Sequence, residues 1–466
     1  MLIPRIQHHS THNRISRIIL LLLSILCLGS GCQAVRSNDS PAAAQAERRI
    51  GTVVLLHTND LHANLLPDEN GTGGMANIAA YIKSVKGSRP DVLVLDAGDM
   101  SVGKGGKPVP LSYYGMPMFD VMNHCGYDFA TLGNHEFDKG ANEIFLFRNT
   151  AEFPILCSNL VYHGKLIGDS PTALVDVNGL KVGIIGLTTS YYFRSKTVDE
   201  LPVEATVQKY IDELEPQAHL IVGLTHIGCD KDCELACAVS GLDVIVGGHT
   251  HTRLCNAITM SDTIIVQAGE YGEHVGRLEL TVDLDTEKIL DMRQSLVPIP
   301  VPGLDPDSDV LKSIEHWNQK ASEIQSVVIG RNPRTLTIPE VTAAVECVWK
   351  EDRQTDFAYQ NPDGTQSSLP SGEITVADIY KCLPFQDTLV TLKLSREQVL
   401  NILLHAHFAE NKPLYTLVTN NYIAYEFIDQ YELPDENVEW TAIDWRDPVI
   451  AYIKEHGNLM VERGER

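Results

Sequence analysis

From Gly51 onward, short apolar runs alternate with polar loops and stretches of helical spacing. The runs Thr52 to His57, Asp91 to Asp96 and Tyr127 to Leu132 predict strands. Between them, Met75 to Val85 and Tyr113 to Asn123 repeat apolar positions with helical periodicity. A second set of strands is predicted at Leu180 to Leu187, Leu220 to Thr225, Asp243 to Val246 and Thr263 to Gln267. Strands alternating with helices predict a layered α/β domain. Gly276 to Leu284 alternates as a closing strand, and the Pro-rich Pro298 to Gly303 reads as a linker.

Past that linker, Ser308 to Gln325 predicts a helix able to bridge two domains. A second unit begins near Val327, with a helix at Val341 to Trp349, a loop from Gln354 to Gly372 and a helix at Val376 to Cys382. A strand at Leu389 to Leu394, a helix at Arg396 to Ala406 and a strand at Leu414 to Phe427 complete an α+β pattern. The tail after Asp429 is polar and carries little periodic signal. The expected organisation is a first domain at residues 51–297, a linker with bridging helix at 298–325, and a smaller substrate domain at 326–466.

The N-terminus changes the picture. Arg5, Arg14 and Arg17 precede the apolar run Ile18 to Leu28, followed by Gly29-Ser30-Gly31-Cys32. Basic stretch, short apolar core and small residues describe an export signal over residues 1–32, too short to span a bilayer comfortably. Small residues before Cys32 resemble a bacterial lipoprotein signal, with Cys32 the lipidated residue; cleavage after Pro41 to Ala46 is the alternative. Residues 33–50 read as a flexible tether, and the expected location is periplasmic or at the cell surface.

Of the 466 residues, 44% are hydrophobic and 21% charged, a globular composition. Lys and Arg number 37 against 61 Asp and Glu, a formal charge of -24, which excludes a nucleic-acid polymer as partner for want of a basic footprint. Ten Cys are present, and export permits disulfides among those outside the signal. Cys229, Cys233 and Cys237, spaced four apart with Cys255 nearby, are either small core residues of a helix from Asp232 to Val239 or ligands of a thiolate metal site.

Candidate chemistry gathers at strand ends. The first strand ends in Asn59-Asp60-Leu61-His62 and the next in Asp96-Ala97-Gly98-Asp99. The third ends in Gly133-Asn134-His135-Glu136-Phe137-Asp138, and later strands end in Thr225-His226 and Gly247-Gly248-His249-Thr250-His251. Singly, a Gly-Asn pair is ordinary turn chemistry and each His a structural residue, as His57 is within the first strand. Together they supply what two divalent cations about 3.5–4 Å apart require, oxygen and imidazole ligands on rigid strand ends. Such ligands suit Mn, Zn, Fe, Co or Mg without choosing among them.

In order and spacing, Asp60-x-His62, Gly98-Asp99, Gly133-Asn134-His135-Glu136, His226 and Gly248-His249-Thr250-His251 resemble the calcineurin-like metallophosphoesterases. Thr58 to His62 and Gly133 to Asp138 resemble the 5'-nucleotidase/2',3'-cyclic phosphodiesterase branch. The resemblance implies a four-layer αββα domain followed by a smaller α+β domain like the 5'-nucleotidase C-terminal domain. It implies one metal held by Asp60, His62, Asp99 and His251, and another by Asp99, Asn134, His226 and His249. A hydroxide between them would attack phosphorus in line. His135, oriented by Asp138, would stabilise the departing or equatorial oxygen.

Val328 to Arg331, Gly372 to Thr375 and Leu383-Pro384-Phe385-Gln386-Asp387 resemble motifs of that second domain. The departures are informative: Asn361-Pro362-Asp363-Gly364-Thr365-Gln366 lacks the Arg of the family's phosphate and ribose contact, and Tyr425-Glu426-Phe427 replaces its base-stacking stretch. Asn361, Phe385 and Phe427 are the candidate substrate-binding residues, with core packing the alternative for the aromatics. The implied function is an exported, lipid-anchored phosphoesterase acting on small phosphorylated substrates, nucleotides foremost. Cyclic nucleotides, UDP-sugars, a thiosulfohydrolase-type sulfur ester, or a non-catalytic surface binding role are the alternatives.

Overall fold

The computed structural model describes residues 48–101, 113, 115–189 and 198–459, so the export signal, Cys32 and most of the tether lie outside the described residues. The first strand, Ile50–Thr58, pairs in parallel with Val92–Asp96 and antiparallel with His274–Asp283. In full, the first sheet runs Lys288–Pro298, His274–Asp283, Ile50–Thr58, Val92–Asp96, Phe129–Thr131, Ile155–Leu156. The second runs Ile258–Met260, Thr263–Val266, Val244–Val246, Leu220–His226, Leu180–Thr188, Thr172–Val177.

Strand alternation explains the layering. Val54 and Leu56 pack with residues of the helices Met75–Ser88, Met116–Asn123 and Asn142–Thr150, while Val53 and Leu55 join the core between the sheets. Both faces are buried, so the run Val53 to Leu56 is apolar without interruption. In the second sheet, Leu220, Val222 and Leu224 enter that same inter-sheet core. Ile221 and Ile245 turn instead to the helices Val203–Leu214 and Cys229–Ala238. The result is helix, sheet, sheet, helix: four layers around three apolar seams.

The bridging helix is Ser308–Gln325 as expected, started by the Asp307 side chain accepting from the Asp309 and Val310 amides. Lys83 Nζ lies 2.7 Å from Asp307 Oδ2, and Trp317 Nε1 donates to Asp120 Oδ2 at 2.7 Å, fastening this helix to the first helical layer. Beyond it, a four-stranded sheet runs Phe357–Ala358, Tyr415–Asn420, Thr388–Leu394, Val438–Asp444, beside the pair Val328–Asn332 and Gly372–Thr375. This second lobe has its own core around Trp349 and Trp445, with Trp349 Nε1 donating to Trp445 O at 2.8 Å. Both lobes belong to one unit that begins at Arg48.

Two expectations are corrected, and elements appear where none was expected. The strand expected to Phe427 stops at Asn420, whose side chain accepts from the Ile423 amide and caps the helix Asn421–Tyr431. Ile423, Ala424, Phe427 and Ile428 then face inward at helical spacing. The polar tail holds the strand Val438–Asp444 and the helix Asp447–His456. Lys288–Pro298, unforeseen, is an edge strand whose mostly exposed residues leave little alternation to read. The helix expected from Tyr113 starts at Met116, after Gly115 in a left-handed conformation.

Candidate metal centre and active site

Parallel strands of both sheets end at one edge, where open α/β sheets place ligands. The first sheet delivers Asp60 and His62, then Asp99, then Asn134 and His135; the second delivers His226, His249 and His251. Five of these take left-handed backbone: Asp60 (φ 51), His62 (φ 44), Asp99 (φ 54), His249 (φ 77) and His251 (φ 54). Each such non-glycine residue costs about 1–2 kcal/mol, and strain of this kind gathers where side chains must be aimed. Two glycines permit the convergence: a Cβ on Gly133 would overlap Asp99 Oδ1, and one on Gly248 would sit 2.8 Å from His226 Nδ1.

The side chains come together in three overlapping groups: Asp60, His62 and His251; His62, Asp99 and His135; and Asp99, His226 and His249, each with ligand atoms within 4.8 Å. His251 Nε2 lies 3.2 Å from Asp60 Oδ1 and 3.0 Å from His62 Nε2. His226 Nε2 lies 3.1 Å from Asp99 Oδ2, and His249 Nδ1 2.8 Å from Asn134 Oδ1. His226 Nδ1 is turned to Ala97 O at 2.6 Å, which aims its buried Nε2 at Asp99 and the cluster. Convergent carboxylate oxygens and imidazole nitrogens fit divalent cations, and Asp99 and His62 sit where two sites would touch.

Charge and burial compete here. Burial lowers His62 and His249 to about 4 despite Asp99. For His226, burial is outweighed by Asp99 and Asp60, and the imidazole rises to about 10. Burial likewise opposes the charge on Asp99, yet His226, His135 and His62 hold that carboxyl well below the usual range.

His135 and Asp138 face each other across the short turn His135–Phe137, with Nδ1 3.0 Å from Asp138 Oδ2. Burial is again outweighed, by Asp138 and Asp99, and His135 is raised to about 10.

Three supports escaped the sequence reading. Glu136, 1% exposed, accepts from the Gly133, Ser101 and Asp99 amides at 2.7, 2.8 and 3.0 Å, so it clamps the loops of Asp99 and Asn134 together. His251 Nδ1 lies 2.5 Å from Glu270 Oε2, which turns Nε2 into the cluster. Asn59 Nδ2 donates to Asp60 Oδ2 at 2.6 Å. No sequence signal marked Glu136, since burial, not residue type, separates it from a surface Glu.

Other candidates fall elsewhere. Among the described residues no thiolate joins a metal-holding group; Cys233 is half-buried against the core of the second helical layer, Cys229 is half-buried, and Cys237 and Cys255 are exposed. The described Cys are all free thiols. Phe427 is 8% exposed and packs with Tyr359 and Tyr431 in the second-lobe core, in keeping with the core-packing alternative: the helix turns it inward. Asn361 Oδ1 accepts from Asn420 Nδ2 at 3.1 Å, and Phe385 packs on Trp445 with centroids 6.3 Å apart.

Comparison with known proteins agrees with this geometry. Residues 53–253 match the calcineurin-like phosphoesterase family and residues 325–414 the 5'-nucleotidase C-terminal domain. A trifunctional nucleotide phosphoesterase of Bacillus subtilis is 26% identical, over 80% of this chain and 28% of the relative. The snake venom 5'-nucleotidase of Naja atra is 32% identical, over 60% and 59%, so the chain spans under two thirds of both relatives. A solved 5'-nucleotidase precursor from Thermus thermophilus superposes with a TM-score of 0.63 at 26% identity, covering 89% of this chain and 98% of that one. By its strand-end ligand set, its four layers and both family matches, the chain belongs to the calcineurin-like phosphoesterases that carry a 5'-nucleotidase C-terminal domain.

Proposed function

We propose that this protein is a metal-dependent phosphomonoesterase that releases phosphate from nucleotides. The observation that carries the reading is the convergence of Asp60, His62, Asp99, Asn134, His226, His249 and His251 beside the His135–Asp138 dyad. Asp60, His62, Asp99 and His251 would hold one divalent ion, and Asp99, Asn134, His226 and His249 a second, with Asp99 shared. Bound ions would supply Lewis acidity toward a phosphoryl oxygen and acidify water. His135, oriented by Asp138, would hold a proton where negative charge develops on the departing oxygen. Asp138 fixes the imidazole through Nδ1, which leaves Nε2 for the substrate.

A nucleotide as substrate rests on the second-lobe match and on the names of the relatives. The test is a panel of AMP, a UDP-sugar, a cyclic nucleotide and p-nitrophenyl phosphate offered to the protein loaded with Mn, Zn, Co or Mg. Hydrolysis of AMP with a fall of roughly 10²–10⁴-fold in His135→Ala is expected. No turnover of any member, or an unimpaired His135→Ala, would overturn the reading. The enzyme would work outside the cytoplasm on a lipid anchor at Cys32; equal membrane partition of wild type and Cys32→Ala would reject the anchor.

A further inference from the structure

The lobes meet at a seam beside the dyad, and a buried ion pair crosses it. Lys139, the residue after Asp138, places Nζ 2.7 Å from Asp444 Oδ2, with side chains 5% and 4% exposed. Asp444 ends the strand Val438–Asp444 and opens a segment that grips the Leu383 to Asp387 turn. Arg446 donates to Asp444 from Nε at 2.8 Å and Nη2 at 2.7 Å, and to Leu383 O at 3.3 Å. Trp445 donates from Nε1 to Phe385 O at 3.1 Å and from its amide to Asp387 O at 3.2 Å. The Arg446 guanidinium lies 4.4 Å from the Tyr380 ring centroid, and Tyr380 packs on Ala63, next to His62.

One cluster of the second lobe thus reaches both the dyad loop and the loop of His62. Burying a pair of charges costs several kcal/mol per ion before attraction repays it, so an apolar seam would hold as well or better. What an ion pair adds is registry, because only one alignment satisfies it. The dyad turn is held at its start by His135 N donating to Asp99 Oδ1 at 2.8 Å and at its end by Gly140 N donating to Phe137 O at 2.7 Å. The bond between them, Asp138 N to His135 O, is longer at 3.3 Å, so the seam contact acts at the Asp138 step.

We propose that Lys139–Asp444 is a registry contact through which docking of the second lobe positions His135 and Asp138, making both members positioning residues for the reaction proposed above, on which this inference rests. Holding Lys139 across the seam fixes the backbone that follows Asp138, and with it the direction of the carboxylate that orients His135.

The test uses the full, metal-loaded protein with Lys139→Met, which removes the ammonium while Asp444 keeps its three bonds from the Arg446 amide and guanidinium. Expected are a kcat on p-nitrophenyl phosphate lowered about tenfold with little change in KM, as for a small misplacement of a catalytic group. Amide exchange should quicken at residues 133–140 and 383–387 but not in Leu220–His226, and Lys139→Arg should restore both readouts. Unchanged exchange at those two segments would overturn the proposal whatever the activity, as would faster exchange throughout the protein, the sign of a general stability role. Should Lys139→Met fail to fold, Lys139→Gln, which keeps a donor for Asp444, replaces it, and failure of both overturns the proposal. A wild type inert toward phosphate esters whose exchange still responds to Lys139→Met would reject the reaction and leave the contact standing.

Discussion

At the scale of single residues, Gly133 shows how tightly the centre is drawn. Its missing side chain leaves room for Asp99 Oδ1, and its amide donates to Glu136 at 2.7 Å. Gly133→Ala should therefore push Asp99 off its position, weaken metal binding by tenfold or more on the scale of a lost supporting contact, and abolish turnover; calorimetric titration with Mn or Zn reads the first effect. The ligand residues themselves were legible because Asp, His and Asn stood together at the ends of apolar runs. Glu136 and Glu270 were not, because a carboxylate that clamps amides or turns an imidazole has the same sequence signature as one in solvent. Phe427 stayed open between substrate and core for the complementary reason: aromatic character reads from sequence, but the helix register that sinks it into the core depends on the Asn420 cap.

Among elements, strands buried on both faces announced themselves, while the edge strand Lys288–Pro298 and the Asn420-capped helix Asn421–Tyr431 did not. Val53 to Leu56 carries two cores at once, whereas Lys288–Pro298 lies open along most of its length. The strand Val438–Asp444, hidden in a polar tail, ends at the seam and carries a pH dependence. Burial opposes the charge on Asp444, but Arg446 and Lys139 prevail and lower the carboxyl to about 2. A depressed carboxyl contributes stability that is full above its ordinary range near 4 and lost as pH falls through about 2. Asp387, desolvated and near Asp138, is raised to about 7, so its charge weighs against the docked seam increasingly between about pH 4 and 7. The seam should accordingly be tightest near pH 4, and amide exchange at 383–387, normalised for intrinsic rates, should pass through a minimum there; a flat profile would remove these two carboxyls from the account.

For the molecule as a whole, the formal charge of -24 and the buried carboxylates at the centre make cations a stabilising ligand. At a hundredfold excess over Kd, one bound ion stabilises by about 2.7 kcal/mol. Chelation should then lower Tm as well as activity, and readdition of Mn, Zn or Co should recover both; a Tm indifferent to chelator would argue against a loaded centre. The two-lobed organisation was legible from composition and linkers, but the contact between lobes was not, since Lys139 and Asp444 lie 305 positions apart and nothing local marks them as partners. That separation of contributors applies to the centre too. Asp60, His62, Asp99 and Asn134 come from one sheet, and His226, His249 and His251 from the other. Neither sheet alone carries the complete set, so the proposed ions would tie the two sheets to each other, and their removal should loosen the seam between the sheets before it loosens either sheet alone.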